Sequence, residues 1–168
     1  MSGRRLRVPL VVAGVVVLHV AVLVRLSPAG VRPDILLLLA ITAGLTGGRE
    51  RGAGVGFAAG LLGDLFVGTP LGLSALTLTL VGFGVGVMSS TILRATWWIG
   101  PATAFVASAG AVVLYGVTGA VVGRAAFLSP ELAVIALVVA SVNALLAVPM
   151  VRATTWAFAG GRPERAYA

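Results

Sequence analysis

The sequence predicts an all-α fold, an integral membrane bundle of six transmembrane helices formed by a single domain over residues 1–168, and three observations predict it. Hydrophobic residues make up 59% of the chain and charged residues 10%. Soluble domains run at about 45–50% and about 25%, so this surface needs lipid as its solvent. The apolar residues fall into six runs divided by turn or charged residues. The arginines, which are the only strong cations in the chain, gather between alternate runs.

The six runs are Val8 to Val24, Asp34 to Thr46, Ala53 to Val67, Leu71 to Leu93, Trp97 to Val122 and Leu132 to Val151. None alternates with period two. Within lipid only helices and closed barrels satisfy the backbone, so the runs read as helices. The first follows Arg4, Arg5 and Arg7 and so resembles a signal peptide. It is too long for one, and Arg25-Leu26-Ser27-Pro28 is a poor cleavage site, so a retained span is expected. The second and third runs are shorter than the about 20 residues of a perpendicular span. A re-entrant hairpin is the competing reading. It would put Arg49, Glu50 and Arg51 at membrane depth, which is costly, and two spans are therefore favoured.

With the N-terminus in the cytoplasm, nine arginines lie inside: Arg4, Arg5, Arg7, Arg49, Arg51, Arg94, Arg152, Arg162 and Arg165. Arg25, Arg32 and Arg124 lie outside. The positive-inside rule favours this orientation, with both termini cytoplasmic, and Trp97, Trp98 and Trp156 fall at the same inner ends. The net charge of +7 carries no basic stripe with interleaved aromatics, so it points to membrane orientation and not to nucleic acid.

The chain holds 23 glycines, and Gly44, Gly48, Gly52, Gly56 and Gly60 recur every four residues, with Asp64, Gly68 and Gly72 in register. A loop near 47–52 leaves Gly56, Gly60 and Asp64 to share one helical face. Ala75, Thr79, Gly82 and Gly86 form a second small-residue face. In lipid such faces let backbones approach closely, either within one bundle or against a partner's helix.

Asp64 is the most informative single residue, because a carboxylate inside a span is costly. It reads as a proton or cation site, an interhelical anchor or a cap for the turn from Gly68 through Pro70 to Gly72, with the anchor favoured. His19 reads as a neutral, hydrogen-bonded histidine, since neither a second His nor any Cys completes a metal site. Pro33 and Asp34 read as ordinary helix-start residues, and Asn143 as an interhelical hydrogen-bonding residue. Pairing His19 with Ser74 or Ser108 as a protease has no supporting motif. A single well-placed aspartate does not make an aspartyl protease, and no phosphate loop is present. Neither an enzyme nor a cofactor is expected.

The stretch from Arg32 to Gly86 resembles the rod shape-determining protein MreD family. The resemblance rests on Pro33-Asp34-Ile35-Leu36-Leu37-Leu38, then Gly56-Phe57-Ala58-Ala59-Gly60-Leu61-Leu62-Gly63-Asp64-Leu65-Phe66. Gly68-Thr69-Pro70-Leu71-Gly72-Leu73-Ser74-Ala75 follows, and Leu80-Val81-Gly82-Phe83-Gly84-Val85-Gly86 completes it. Phe83 stands where the family often has Tyr, and Ser74 where a His is common. The resemblance implies a non-enzymatic subunit of the cell-elongation machinery in a bacterial inner membrane. Its implied partners are MreC, the RodA glycosyltransferase, a penicillin-binding transpeptidase and MreB filaments at the cytoplasmic face, acting in lateral peptidoglycan synthesis. It also implies a fold similar to the substrate-binding subunit of energy-coupling-factor vitamin transporters. That similarity supplies the alternative, capture of a small vitamin-type ligand.

Overall fold

The computed structural model describes residues 7–25, 34–67, 71–92, 98–121, 123 and 131–158. Among these the chain forms six helices, and all of its regular structure is helical. They are α1 (Arg7–Arg25), α2 (Ile35–Gly47), α3 (Arg49–Val67), α4 (Leu73–Ile92), α5 (Ile99–Val121) and α6 (Leu132–Phe158). By length and composition α5 and α6 can each cross a membrane.

The bundle is built around α2. This helix is apolar on every side, and Leu38, Leu39, Ala40, Ile41, Thr42 and Ala43 are all fully enclosed. A helix without a polar face has to be covered all round, and the other five helices all touch α2. The buried Thr42 hydroxyl donates to the Leu38 carbonyl at 2.9 Å, so it needs no partner from another helix.

Asp34 starts α2, its Oδ1 accepting from the Leu37 N–H at 3.0 Å. Gly48 ends α2 and alone separates it from α3. Its φ of 81° is a left-handed conformation that a Cβ disfavours, and its N–H donates to the Gly44 carbonyl at 3.0 Å. The chain then reverses. Leu36 lies against Gly63 and Gly44 against Gly52, so α2 and α3 are antiparallel.

Two helices are longer than the sequence suggested. The third run was placed at 53–67, but α3 begins at Arg49. The cluster Arg49-Glu50-Arg51 read as a loop because it is charged. It forms the exposed first turn of a helix, with the Arg51 guanidinium 5.1 Å from the centre of the Phe158 ring. The last run was placed at 132–151, but α6 continues past Arg152 to Phe158 and carries Pro149 inside it. The other four helices begin and end within two residues of their predicted limits.

One end of the bundle collects four of the five described arginines and two exposed tryptophans. Arg7 stacks over Trp156 at 4.9 Å, and Arg49, Arg51, Arg152 and Trp98 are exposed at the same end. The outer walls carry Phe57, Leu65, Phe66, Leu76, Phe83, Val106, Leu137 and Leu145, all exposed. The buried face of α5 is Ala104, Ser108, Ala111, Gly116 and Gly119. Around the apolar α2, α5 thus turns small or polar side chains inwards, and the outer walls are large and apolar.

Candidate functional site

Two features concentrate the polar and small residues. The first is the seam between α3 and α4. Gly86 meets Arg49, Gly82 meets Gly52, Leu78 meets Gly56 and Ala75 meets Gly60. Each step moves one turn up α3 and one turn down α4, so the two helices are antiparallel in constant register. A methyl group at Gly60 would lie 2.5 Å from the Ala75 Cα. At Gly56 it would strike the Leu78 carbonyl and come within 3.1 Å of the Thr79 nitrogen. Gly82 is a three-helix junction, since its carbonyl faces Gly44 of α2 and Gly52 of α3 together. Backbones this close gain dispersion over the whole contact length, which is the main source of helix association in lipid.

The four-residue glycine spacing therefore has its cause in this register, and Gly52 belongs to the face that was given only to Gly56, Gly60 and Asp64. Gly52 was missed because 47–52 read as a loop, whereas the break is Gly48 alone. The small faces on α3 and α4, including Ala75, Thr79, Gly82 and Gly86, are turned towards each other. They are closed to a partner's helix in this bundle.

Asp64 completes the seam. Its side chain is 2% exposed. Oδ2 accepts from the Gly72 N–H at 2.8 Å and the Ala75 N–H at 3.4 Å, and Oδ1 accepts from the Ser74 N–H at 3.3 Å. These amides belong to the start of α4, where a helix leaves its N–H groups without intrahelical acceptors. The usual capping side chain is missing, because the residue before α4 is Gly72, at a φ of 97°. Asp64 supplies the cap from the neighbouring helix and sets its negative charge against the positive end of the α4 dipole. Gly68, Pro70 and Pro33, also singled out in the sequence, lie outside the described residues.

The second feature was not assembled by sequence reasoning. Asp34 at the start of α2, Ser108 of α5 and Asn143 of α6 come together inside the bundle, and the buried His19 of α1 lies at their level. Asn143 is fully buried and its Nδ2 donates to Ser108 Oγ at 2.9 Å and to the Asp34 carbonyl at 3.4 Å. His19 lies on the buried face of α1, in line with Val8, Val11, Val12 and Val15, which pack into the core. Among the described residues, two atoms at this level have no hydrogen-bond partner, His19 Nδ1 and Asn143 Oδ1. No described residue supplies a hydrogen-bond partner to His19 Nδ1. Asp34 does more than start a helix, since its carbonyl receives a residue 109 positions away. One signal was available in the sequence: Ala104, Ser108 and Ala111 follow helical spacing, as do Ala136, Ala140, Asn143 and Ala147, and both stripes are buried.

A helical bundle whose outer walls are apolar and two of whose helices are long and apolar enough to cross a membrane fits the membrane-embedded class. Within that class the chain belongs to the MreD family: it matches the family described as rod shape-determining protein MreD over residues 4–153 of its 168. This is a membrane protein family with a role in determining rod shape. No curated protein and no solved structure gave a match.

Proposed function

We propose that this chain is a non-enzymatic scaffold subunit of the bacterial cell-elongation complex, binding MreC and supporting lateral peptidoglycan synthesis beside RodA, a penicillin-binding transpeptidase and MreB. The observation that carries this reading is the family match over residues 4–153. In this reading all six helices cross the inner membrane. The end bearing Arg7, Arg49, Arg51, Arg152, Trp98 and Trp156 faces the cytoplasm, where cationic and amphipathic side chains belong.

The α3–α4 pair suits a scaffold because it is rigid. Backbone contacts lock it along its length and Asp64 ties its far end. Partner helices then meet the outward faces of the bundle, since the glycine faces are covered by one another. Co-expression with tagged MreC tests this. The chain should co-purify with MreC in a fixed ratio, and a chain that inserts normally yet fails to co-purify overturns the proposal.

The vitamin-capture alternative requires a polar grip. The groove of about 550 Å³ between α4 and α5 is lined by Leu80, Val85, Met88, Val106, Ala107 and Leu114 among others, with Thr103 as its hydroxyl. That lining suits acyl chains better than a vitamin. Saturable binding of a vitamin by the purified chain would favour the alternative over the scaffold.

A further inference from the structure

Three separate contacts set the start of α2 at the same height in the bundle as His19 and Asn143. Gly47, the last residue of α2, packs against Phe158, while Asp34 at its start meets Asn143. Hence α2 runs parallel to the second half of α6 and begins beside the middle of that helix. Arg7 of α1 sits over Trp156. At 1.5 Å per residue, His19 is about 18 Å above that contact along α1, and Asn143 about 20 Å above it along α6. The two agree to about 2 Å.

Both residues are more than nine-tenths buried, His19 at 7% exposure and Asn143 at 0%. Each leaves one polar atom unpaired. Leaving such an atom without a partner costs about 1–3 kcal/mol, and native interiors rarely tolerate it. Asn143 has no freedom to correct this by turning its amide. Its Nδ2 is already held by Ser108 and the Asp34 carbonyl, which leaves Oδ1 as the atom still to be satisfied.

We propose that the bundle binds an ordered water molecule between His19 Nδ1 and Asn143 Oδ1, beside the first turn of α2. Asn143 Oδ1 can only accept. His19 Nδ1 also accepts when the ring is neutral and carries its proton on Nε2. The ligand must therefore donate twice and be small, and water does both with two of the 2–4 partners an internal water needs. A cation is a poorer fit. The positive end of the α2 dipole is at this site, and the Asp34 Oδ1 is already engaged by Leu37. The water has a structural consequence, because α1 packs mainly against α2, α3 and α6, and His19 is its buried polar residue among those described. The bridge joins α1 to α6 across the start of α2.

His19 is the only histidine in the chain, so its imidazole gives a single pair of nitrogen signals. The test is water-edited solid-state NMR on the full chain, labelled with 15N-histidine and reconstituted in phospholipid bilayers. A neutral ring protonated on Nε2 is expected, with rapid magnetisation transfer from water to the His19 side chain. In Asn143→Leu that transfer should fall several-fold. A doubly protonated ring, or no transfer from water in the native chain, overturns the proposal, and so does undiminished transfer in a folded Asn143→Leu. The native-chain measurement decides by itself if Asn143→Leu does not fold.

Discussion

Replacing Asp64 by Ala removes the acceptor for three amides at the start of α4 and leaves Gly72 without any capping side chain nearby in sequence. The bond from Gly72 at 2.8 Å is a full charge-assisted hydrogen bond, worth about 1.5–3 kcal/mol. Those from Ser74 at 3.3 Å and Ala75 at 3.4 Å are long, and together they amount to an ordinary cap of about 1 kcal/mol. Asp64→Ala should therefore destabilise the bundle by about 3 kcal/mol, or about 6–12 °C in Tm for a chain of this size. Asp64→Asn keeps one acceptor oxygen but turns an NH₂ group towards backbone donors, and should lose about half as much. Thermal unfolding in detergent, followed by tryptophan fluorescence, measures both. Amide exchange at Gly72, Ser74 and Ala75 should accelerate in the same variants. A Tm shift below about 2 °C for Asp64→Ala would refute the cap as the reason for this buried carboxylate.

The glycine seam makes a paired prediction. Gly56→Ala forces a methyl against the Leu78 carbonyl and should cost about 1–3 kcal/mol or more as overpacking, whereas Gly84→Ala meets nothing within 4 Å and should be neutral or stabilising by up to about 1 kcal/mol; melting temperatures of the two variants compare them directly. Gly48→Ala should cost about 1–2 kcal/mol, because φ stays left-handed at the α2–α3 reversal, and chemical unfolding of the variant reads this. Trp156→Ala removes the ring under Arg7 and should cost about 0.5–1 kcal/mol, as for an exposed cation–π pair. An unchanged unfolding midpoint in this last variant would mean that the contact orders the surface without stabilising it.

Helix content and most helix limits were legible because apolar runs and turn residues signal them locally. The failures have physical causes. Charge at Arg49-Glu50-Arg51 looks the same in a loop as in a helical turn that projects from the apolar region. Arg152 looked like an end, yet α6 carries it on an exposed face and continues. Asp64 read as an interhelical anchor with a cap as an alternative, and its bonds from α3 to the amides of Gly72, Ser74 and Ala75 make it both. The glycine faces were visible, but which surface covered them was not, since one spacing serves packing within a chain and packing between chains equally. The layer of His19, Asp34, Ser108 and Asn143 stayed hidden because its members come from four different segments. Only the parallel packing of α2 on α6 brings Asp34 to Asn143.

The most direct test of the scaffold account is depletion of this chain in its native host, with new wall material labelled by a fluorescent D-amino acid. The account predicts loss of rod shape and of ordered insertion along the side wall, both restored by the native chain. Normal shape and an unchanged labelling pattern after full depletion would contradict it.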